Sequence, residues 1–178
     1  VERSRGLGDV YKRQVIAENY LPSSKFRSSG FDGFMQDYIF MDHDRVVEID
    51  KSIEDLSTIA YSELVSVSWH AIQRFSRKSH AYKSSFGIWG DGNLGYITAV
   101  LLHKLYPEAK LYVFGKTDYK LSHFSFVDQV YHIDEIPSDL TFDHAFECVG
   151  GKGSQSAVEQ IIDLISPEGT ISLLGVSE

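Results

Sequence analysis

Residues 90–95 read Gly-Asp-Gly-Asn-Leu-Gly, a G-x-G-x-x-G turn that follows the apolar run 86–89 and opens a stretch of helical spacing. Glycine in the first position permits a tight turn, and in the second lets the backbone approach a pyrophosphate with no Cβ in the way. In the third it lets the new helix pack close to the strand. The N–H groups of the first helical turn then face an anion. Gly90, Gly92, Asn93, Leu94 and Gly95 are therefore candidate dinucleotide-binding residues. A glycine-rich turn without ligand, or the first turn of an S-adenosylmethionine-dependent methyltransferase, are the other readings of the motif. About 20 residues on, an NAD-binding chain carries an acid for the ribose 2′-hydroxyl. Here the next apolar run ends Val113-Phe114-Gly115-Lys116-Thr117, without a carboxylate. Gly115 is expected to leave room for a 2′-phosphate. Lys116 offers a charge, Thr117 a hydroxyl donor and Lys120 a second charge one helical turn further on, a pattern that points to NADP(H). The alternative is a pair of solvated surface lysines beside Asp118.

The elements that must position these residues alternate in type. Strands are expected at 86–89, 111–114, 130–133, 144–149 and 170–175. The intervening helices include one with Ile97, Val100, Leu101 and Leu105 on its buried face, a short polar one after residue 117, and one over 156–165. Short apolar strands separated by amphipathic helices imply an α/β fold with a doubly wound parallel sheet. Upstream, residues 52–60 read as a short helix behind Ser52 as N-cap. A second helix sets Val65, Trp69, Ile72 and Phe75 on one face and ends in the polar break 77–80. Residues 15–49, with Gly30 and Gly33 between apolar runs, read as the edge of a β-rich module.

Composition limits the function classes. A net charge of −8 and a pI near 5.3 argue against a nucleic-acid or anionic-membrane surface. Apolar runs fall well short of the roughly 18 residues of a membrane span, and no charged-then-apolar leader is read in the opening stretch. The single cysteine, Cys148, has no internal disulfide partner, which fits a reducing, cytoplasmic setting. The first fourteen residues hold Arg3, Arg5, Lys12 and Arg13 without periodicity. They resemble translated sequencing-adapter read-through and are read as a non-native tail, with a disordered basic tail as the alternative.

The order of SGFDGFMQDY, ELVSVSWHAI, GIWGDGNLG, HAFECVGG and GTISLLGV resembles the medium-chain, zinc-dependent alcohol and polyol dehydrogenases. Within them, NYLPSSKFRSSGFDGFMQDYIFM and SELVSVSWHAI are similar to the bacterial ribulose-5-phosphate reductases, also called ribitol-5-phosphate dehydrogenases. The resemblance implies a Rossmann-type domain over residues 81–178, truncated at its C-terminal end. It implies that residues 15–80 are part of a β-rich, GroES-like catalytic domain with linking helices. It also implies an NADPH-dependent reductase of D-ribulose 5-phosphate whose product, D-ribitol 5-phosphate, feeds CDP-ribitol synthesis for teichoic acids and capsules. A cytidylyltransferase partner and a homo-oligomeric full-length protein follow from it. Other polyol or threonine-type dehydrogenases, or a non-catalytic nucleotide-binding module, are the competing functions.

By the same resemblance, Cys148, Val149 and Gly150 match an ECxG turn that passes near the nicotinamide. Cys148 is equally readable as a small buried core residue, and Glu147 as the acid that orients the turn. Glu63 matches an acidic position near a catalytic zinc, either as ligand or through the metal-bound water, and so is the candidate catalytic and metal residue. Glutamate in a first helical turn is the competing reading. The Cys and His–Glu ligands of such a zinc site do not occur before Glu63, so zinc is assigned to the full-length parent and the chain alone is expected to be inactive. Deleting residues 1–14 is expected to change stability by less than about 1 kcal/mol, because they offer no apolar face to bury. A thermal melt of the shortened chain checks it.

Overall fold

The computed structural model describes residues 32–43 and 46–175. The basic opening segment, and the part of the expected β-rich edge before residue 32, lie outside them. The chain divides into two compact units, Val1–Ile53 and Glu54–Glu178.

In the first unit the described residues carry no strand. Their hydrogen bonds are local, as in Gln36 N–H to the Phe34 carbonyl (2.9 Å) and Ser52 N–H to Asp50 Oδ1 (2.9 Å). Met35, Phe40 and Val47 are exposed. The runs GFMQDYIFM and RVVEI thus have strand-like composition, but none of their described residues is in a strand, and strands form only in pairs.

The second unit holds a five-stranded parallel sheet in the order β3-β2-β1-β4-β5. Its strands are β1 (Ser85–Trp89), β2 (Lys110–Gly115), β3 (Gln129–His132), β4 (Phe142–Glu147) and β5 (Ile165–Leu173). Four helices accompany them: α1 (Ser62–Lys78), α2 (Asn93–Leu105), α3 (Asp118–Leu121) and α4 (Ser154–Leu164). The doubly wound sheet expected from the alternation is present. The upstream helix read over 52–60 is instead a 3-10 turn, Leu56–Tyr61, capped by Asp55 rather than Ser52. Asp55 Oδ1 accepts from both the amide and the hydroxyl of Ser57. No helix among the described residues is long and apolar enough to cross a membrane.

Both faces of the sheet are covered. Phe86, Ile88, Leu111, Val113 and Phe146 pack beneath α1 and α2, while Trp89, Phe114, Phe142 and Ala145 pack beneath α4. Phe142 and Phe146 lie on opposite faces although their spacing is even. A register shift between Phe142 and His144 explains it, since one irregular residue in a strand reverses which face follows. Asp143 sits at the shift, and its Oδ2 accepts from the amides of Ser84 (2.7 Å) and Ser85 (3.0 Å).

The helix faces differ from the expected ones. On α2 the buried residues are Gly95, Thr98, Ala99 and Leu102, not the Ile97, Val100, Leu101 and Leu105 stripe. On α1 they are Ser68, Ile72 and Phe75, with Val65 and Trp69 left exposed. Small side chains decide both rotations, because they allow close approach. Ser68 Oγ lies 2.9 Å from Thr98 Oγ1, which donates to the Leu94 carbonyl, so Ser68 is the donor in that pair.

His144 is fully buried against Phe75, at 4.7 Å between ring centres. Its Nδ1 accepts from Thr170 N–H, so Nε2–H donates to the Tyr82 carbonyl. Burial holds this imidazole below the ordinary 6.5, with His80 and Lys83 acting in the same direction and the Tyr82 carbonyl and Asp143 opposing. The unfolded chain therefore takes up a proton that the folded one refuses as pH falls below about 6.5. Stability is expected to be full above that value and to decline below it. The thermal midpoint measured across that range checks this, and His144→Gln is expected to flatten the decline.

Candidate functional site

The sheet reverses direction of winding at β1. The chain leaves β1 for β2 on one side, and β4 returns on the other. In open α/β sheets ligands settle at this switch point, beyond the carboxyl ends of the strands. The glycine turn leaves β1 there, and Cys148 to Gly150 leave β4 beside it. Cys148 N–H donates to the Trp89 carbonyl, and Gly90 N–H to the Phe114 carbonyl (both 2.8 Å). One ladder therefore stitches the three strand ends together.

Each glycine has a distinct local reason. Gly90 has φ 121°, a region that side-chain-bearing residues avoid, and a Cβ there would meet the Cys148 backbone at 3.0 Å. A Cβ on Gly95 would stand 1.9 Å from the Gly90 carbonyl oxygen, so α2 is seated directly against the turn. Gly92 is the opposite case, with nothing within 4 Å of a Cβ. It caps α2 without any side-chain hydrogen bond. The first-turn N–H groups of a 13-residue helix thus open onto free space, which fits a pyrophosphate.

The cleft above the strand ends has a volume of about 280 Å³. It is lined by Gly90, Gly92, Gly115, Lys116, Lys120, Cys148 and Val149 among the residues expected from the sequence. Asn93 lines an adjoining hollow, which shares Asp91, Gly92 and Lys120 with the cleft. Leu94, Gly95, Thr117 and Gly150 adjoin these lining residues in the chain and are not themselves part of the two linings. The glycine turn, the β2 exit and the β4 turn are therefore brought together.

Sequence reading missed several wall residues. The Trp89 and Phe114 rings stack at 3.8 Å and form the floor. Gln160 of α4 bridges Trp89 Nε1–H and the Ile133 carbonyl (both 3.0 Å). Trp89 carried a signal, a large apolar residue at the last strand position, but Gln160 carried none because its partners are remote in sequence.

Gly115 also has a packing role. A Cβ there would meet Asp91 Cβ at 2.6 Å, Asp91 Oδ2 at 2.9 Å and Leu121 Cδ2 at 2.9 Å. The space on the Cβ side of residue 115 is taken by Asp91 and Leu121, while Gly115 itself still lines the cleft. Asp91 Oδ2 accepts from the amides of Lys116 (3.0 Å) and Thr117 (2.8 Å), which pulls its side chain across the strand end.

In the β4 turn, Glu147 does orient the loop. It is fully buried, and its Oε1 accepts from Val149 N–H (2.7 Å) and Gly150 N–H (2.8 Å). The Cys148 thiol donates to Thr98 Oγ1 at 3.7 Å, and burial pushes its pKa up to about 12. It is a protonated wall residue at neutral pH, with no thiolate for nucleophilic or metal chemistry. Glu63 lies exposed in the first turn of α1, where its carbonyl accepts from Ser66 Oγ. No group of three metal-ligating side chains converges among the described residues, so these residues do not fit a zinc centre.

The chain is 72% identical over 167 residues to ribulose-5-phosphate reductase 2 of Staphylococcus aureus, covering 94% of this chain and 49% of that protein. It is 58% identical over 169 residues to the ribulose-5-phosphate reductase of Bacillus spizizenii, covering 95% and 49%. It thus spans about half the length of the curated relatives it matches. Among solved structures, S. aureus TarJ in complex with NADPH superposes with a TM-score of 0.75 at 70% identity, over 82% of this chain and 46% of that one. Galactitol-1-phosphate dehydrogenase of Escherichia coli shares the fold, with a TM-score of 0.71 at 20% identity over 86% and 45%. No protein-family model matches the chain.

The second and third glycines of the turn separate packing from ligand space. Gly95→Ala is expected to lower stability by at least about 2 kcal/mol, because backbone must move to admit the methyl group. Gly92→Ala is expected to stay within about 1 kcal/mol of the unmodified chain, since its Cβ meets nothing and only the cap preference changes. Denaturant titrations of both variants check the contrast.

Proposed function

Because the chain belongs to the ribulose-5-phosphate reductase family of medium-chain alcohol and polyol dehydrogenases, we propose that its cleft holds NADP(H) for the reduction of D-ribulose 5-phosphate to D-ribitol 5-phosphate. The observation that carries this reading is the uncapped start of α2 at Gly92, open to the cleft, with Lys116 and Lys120 on the same cavity. The pyrophosphate accepts from the first-turn amides of α2, at Gly92, Asn93 and Leu94. The 2′-phosphate takes the β2 exit, where Lys116 and Lys120 supply charge and Thr117 a hydroxyl donor. The nicotinamide end runs toward Cys148, Val149 and Gly150, the walls opposite the glycine turn. Bound NADPH supplies a hydride equivalent for the ketone carbon, and a solvent-derived proton completes the alcohol.

In this reading residues 81–178 are the cofactor domain, and residues 15–80 are a catalytic-domain segment with its linking helices. The zinc centre belongs to the full-length protein. Glu63 would contribute to it only with ligands from outside the described residues. The product suits cytidylyl transfer in CDP-ribitol synthesis, and the requirement for NADPH suits the cytoplasm.

The expected outcome is that the 178-residue chain binds NADPH more tightly than NADH, read from quenching of its tryptophans. Lys116→Ala is expected to weaken NADPH about tenfold and NADH little, the size of one lost charge-assisted phosphate contact. A full-length protein carrying this segment consumes NADPH with ribulose 5-phosphate, while the chain alone does not. Equal affinity for the two dinucleotides, or turnover by the chain alone, would overturn the assignment.

A further inference from the structure

The loop leaving β2 is held by side chains from two other elements. Asp91, from the glycine turn, takes the amides of Lys116 and Thr117 on a single carboxylate oxygen, at 3.0 and 2.8 Å. From the end of β3, the His132 ring lies with Nε2 3.0 Å from the Lys116 carbonyl oxygen. Its other nitrogen accepts from the Asp134 amide at 3.4 Å, so Nε2–H is the donor. The Lys116 peptide is thereby fixed at both of its polar groups. Bonds from amides to a carboxylate are roughly twice as strong as neutral ones, so Asp91 supplies the firmer half of the clamp.

The same side chain closes the strand end. A Cβ at residue 115 would lie 2.6 Å from Asp91 Cβ and 2.9 Å from Asp91 Oδ2. Position 115 is where an NAD-type chain carries its ribose-binding acid. While Asp91 holds its position, any side chain there is excluded, and an acidic one is excluded by charge as well as by volume.

We propose that Asp91 is the positioning residue for dinucleotide selectivity in this cleft: it holds Lys116 and Thr117 in the geometry that receives a 2′-phosphate and bars residue 115 from bearing the acid that would receive a 2′-hydroxyl. This rests on the NADP(H) reading above and adds to it the residue on which the selectivity depends. Lys116 and Thr117 present charge and hydroxyl to the ligand, whereas Asp91 acts through them.

The test titrates NADPH and NADH separately into the 178-residue chain and into the variants Asp91→Ala, Asp91→Asn, Gly115→Asp and Asp91→Gly/Gly115→Asp, the last removing the Asp91 Cβ that a side chain at 115 would meet at 2.6 Å, with a thermal melt of each. Asp91→Ala is expected to lower the NADPH-to-NADH affinity ratio about tenfold through weaker NADPH binding. Asp91→Asn keeps an oxygen acceptor at the same reach and is expected to retain most of the ratio. Gly115→Asp alone is expected to weaken both dinucleotides, while the double variant recovers NADH binding and prefers it. That non-additivity is the signature of two side chains competing for one space. A folded Asp91→Ala chain with an unchanged ratio overturns the proposal, as does a Gly115→Asp chain that prefers NADH with Asp91 in place. If Asp91→Ala does not fold, Asp91→Ser, too short to take both amides, replaces it, and an unchanged ratio there overturns the proposal. Failure of the unmodified chain to bind either dinucleotide removes the cofactor reading itself, and the proposal with it.

Discussion

The contact between Gly95 and the Gly90 carbonyl, too close to admit even a Cβ, sets the position of α2, and much of the unit follows from it. A helix pressed against a strand end at its first turn must present the residues one and two turns on to the same surface. Thr98, Ala99 and Leu102 are therefore buried, and the larger Ile97, Val100, Leu101 and Leu105 lie toward the margin. Thr98 then reaches two neighbours. It accepts from Ser68 on α1 and from the Cys148 thiol beyond β4, while donating to Leu94 in its own helix. Three separate segments converge on one hydroxyl because the first turn of α2 could be seated so closely.

Beneath the cleft, the opposite face of the sheet supplies stiffness. Trp89, Phe114 and Tyr131 form a run of stacked rings across β1, β2 and β3. Burial of Trp89 and Phe114 is worth roughly 1.5–3 kcal/mol each, and the stacked geometry adds to that. Gln160 satisfies the indole N–H and ties α4 to the segment after β3. This floor joins the strand ends from which the glycine turn and the β2 exit leave, the two segments that a dinucleotide lying in the cleft would span.

Several carboxylates of this acidic chain serve backbone amides at strand ends. Asp128 accepts from Leu111 N–H, Asp143 from Ser84 and Ser85, Glu147 from Val149 and Gly150, and Asp91 from Lys116 and Thr117. Parallel sheets leave amides unpaired where strands give way to loops, and buried amides need acceptors. An acid taking two amides fixes two consecutive residues at once. The acidic balance that argues against a polyanion-binding surface is thus partly an internal structural device, while Lys116 and Lys120 stay available on the cleft.

The sequence alone determined the alternation of strands and helices, the parallel sheet and the position of the glycine turn, because short apolar runs and glycine spacing are local signals. It also identified Glu147 as the acid that orients its turn, since the partners lie two and three residues away. Tertiary structure decided which helix faces are buried, because an amphipathic stripe several residues wide can rotate until the smallest side chains meet. It decided the parity of β4, where the irregularity at Asp143 depends on amides 58 and 59 residues away. It left the described residues 32–43 and 46–49 outside any strand despite their strand-like composition. It left Glu63 on an exposed helix start, and no group of three metal-ligating side chains converges among the described residues. Most of all it decided the role of Asp91, an unremarked letter inside the motif whose partners lie 25 and 26 residues further on. The physical reason is common to all of these: spacing along the chain fixes what a residue can do locally, and only packing fixes which distant groups it meets.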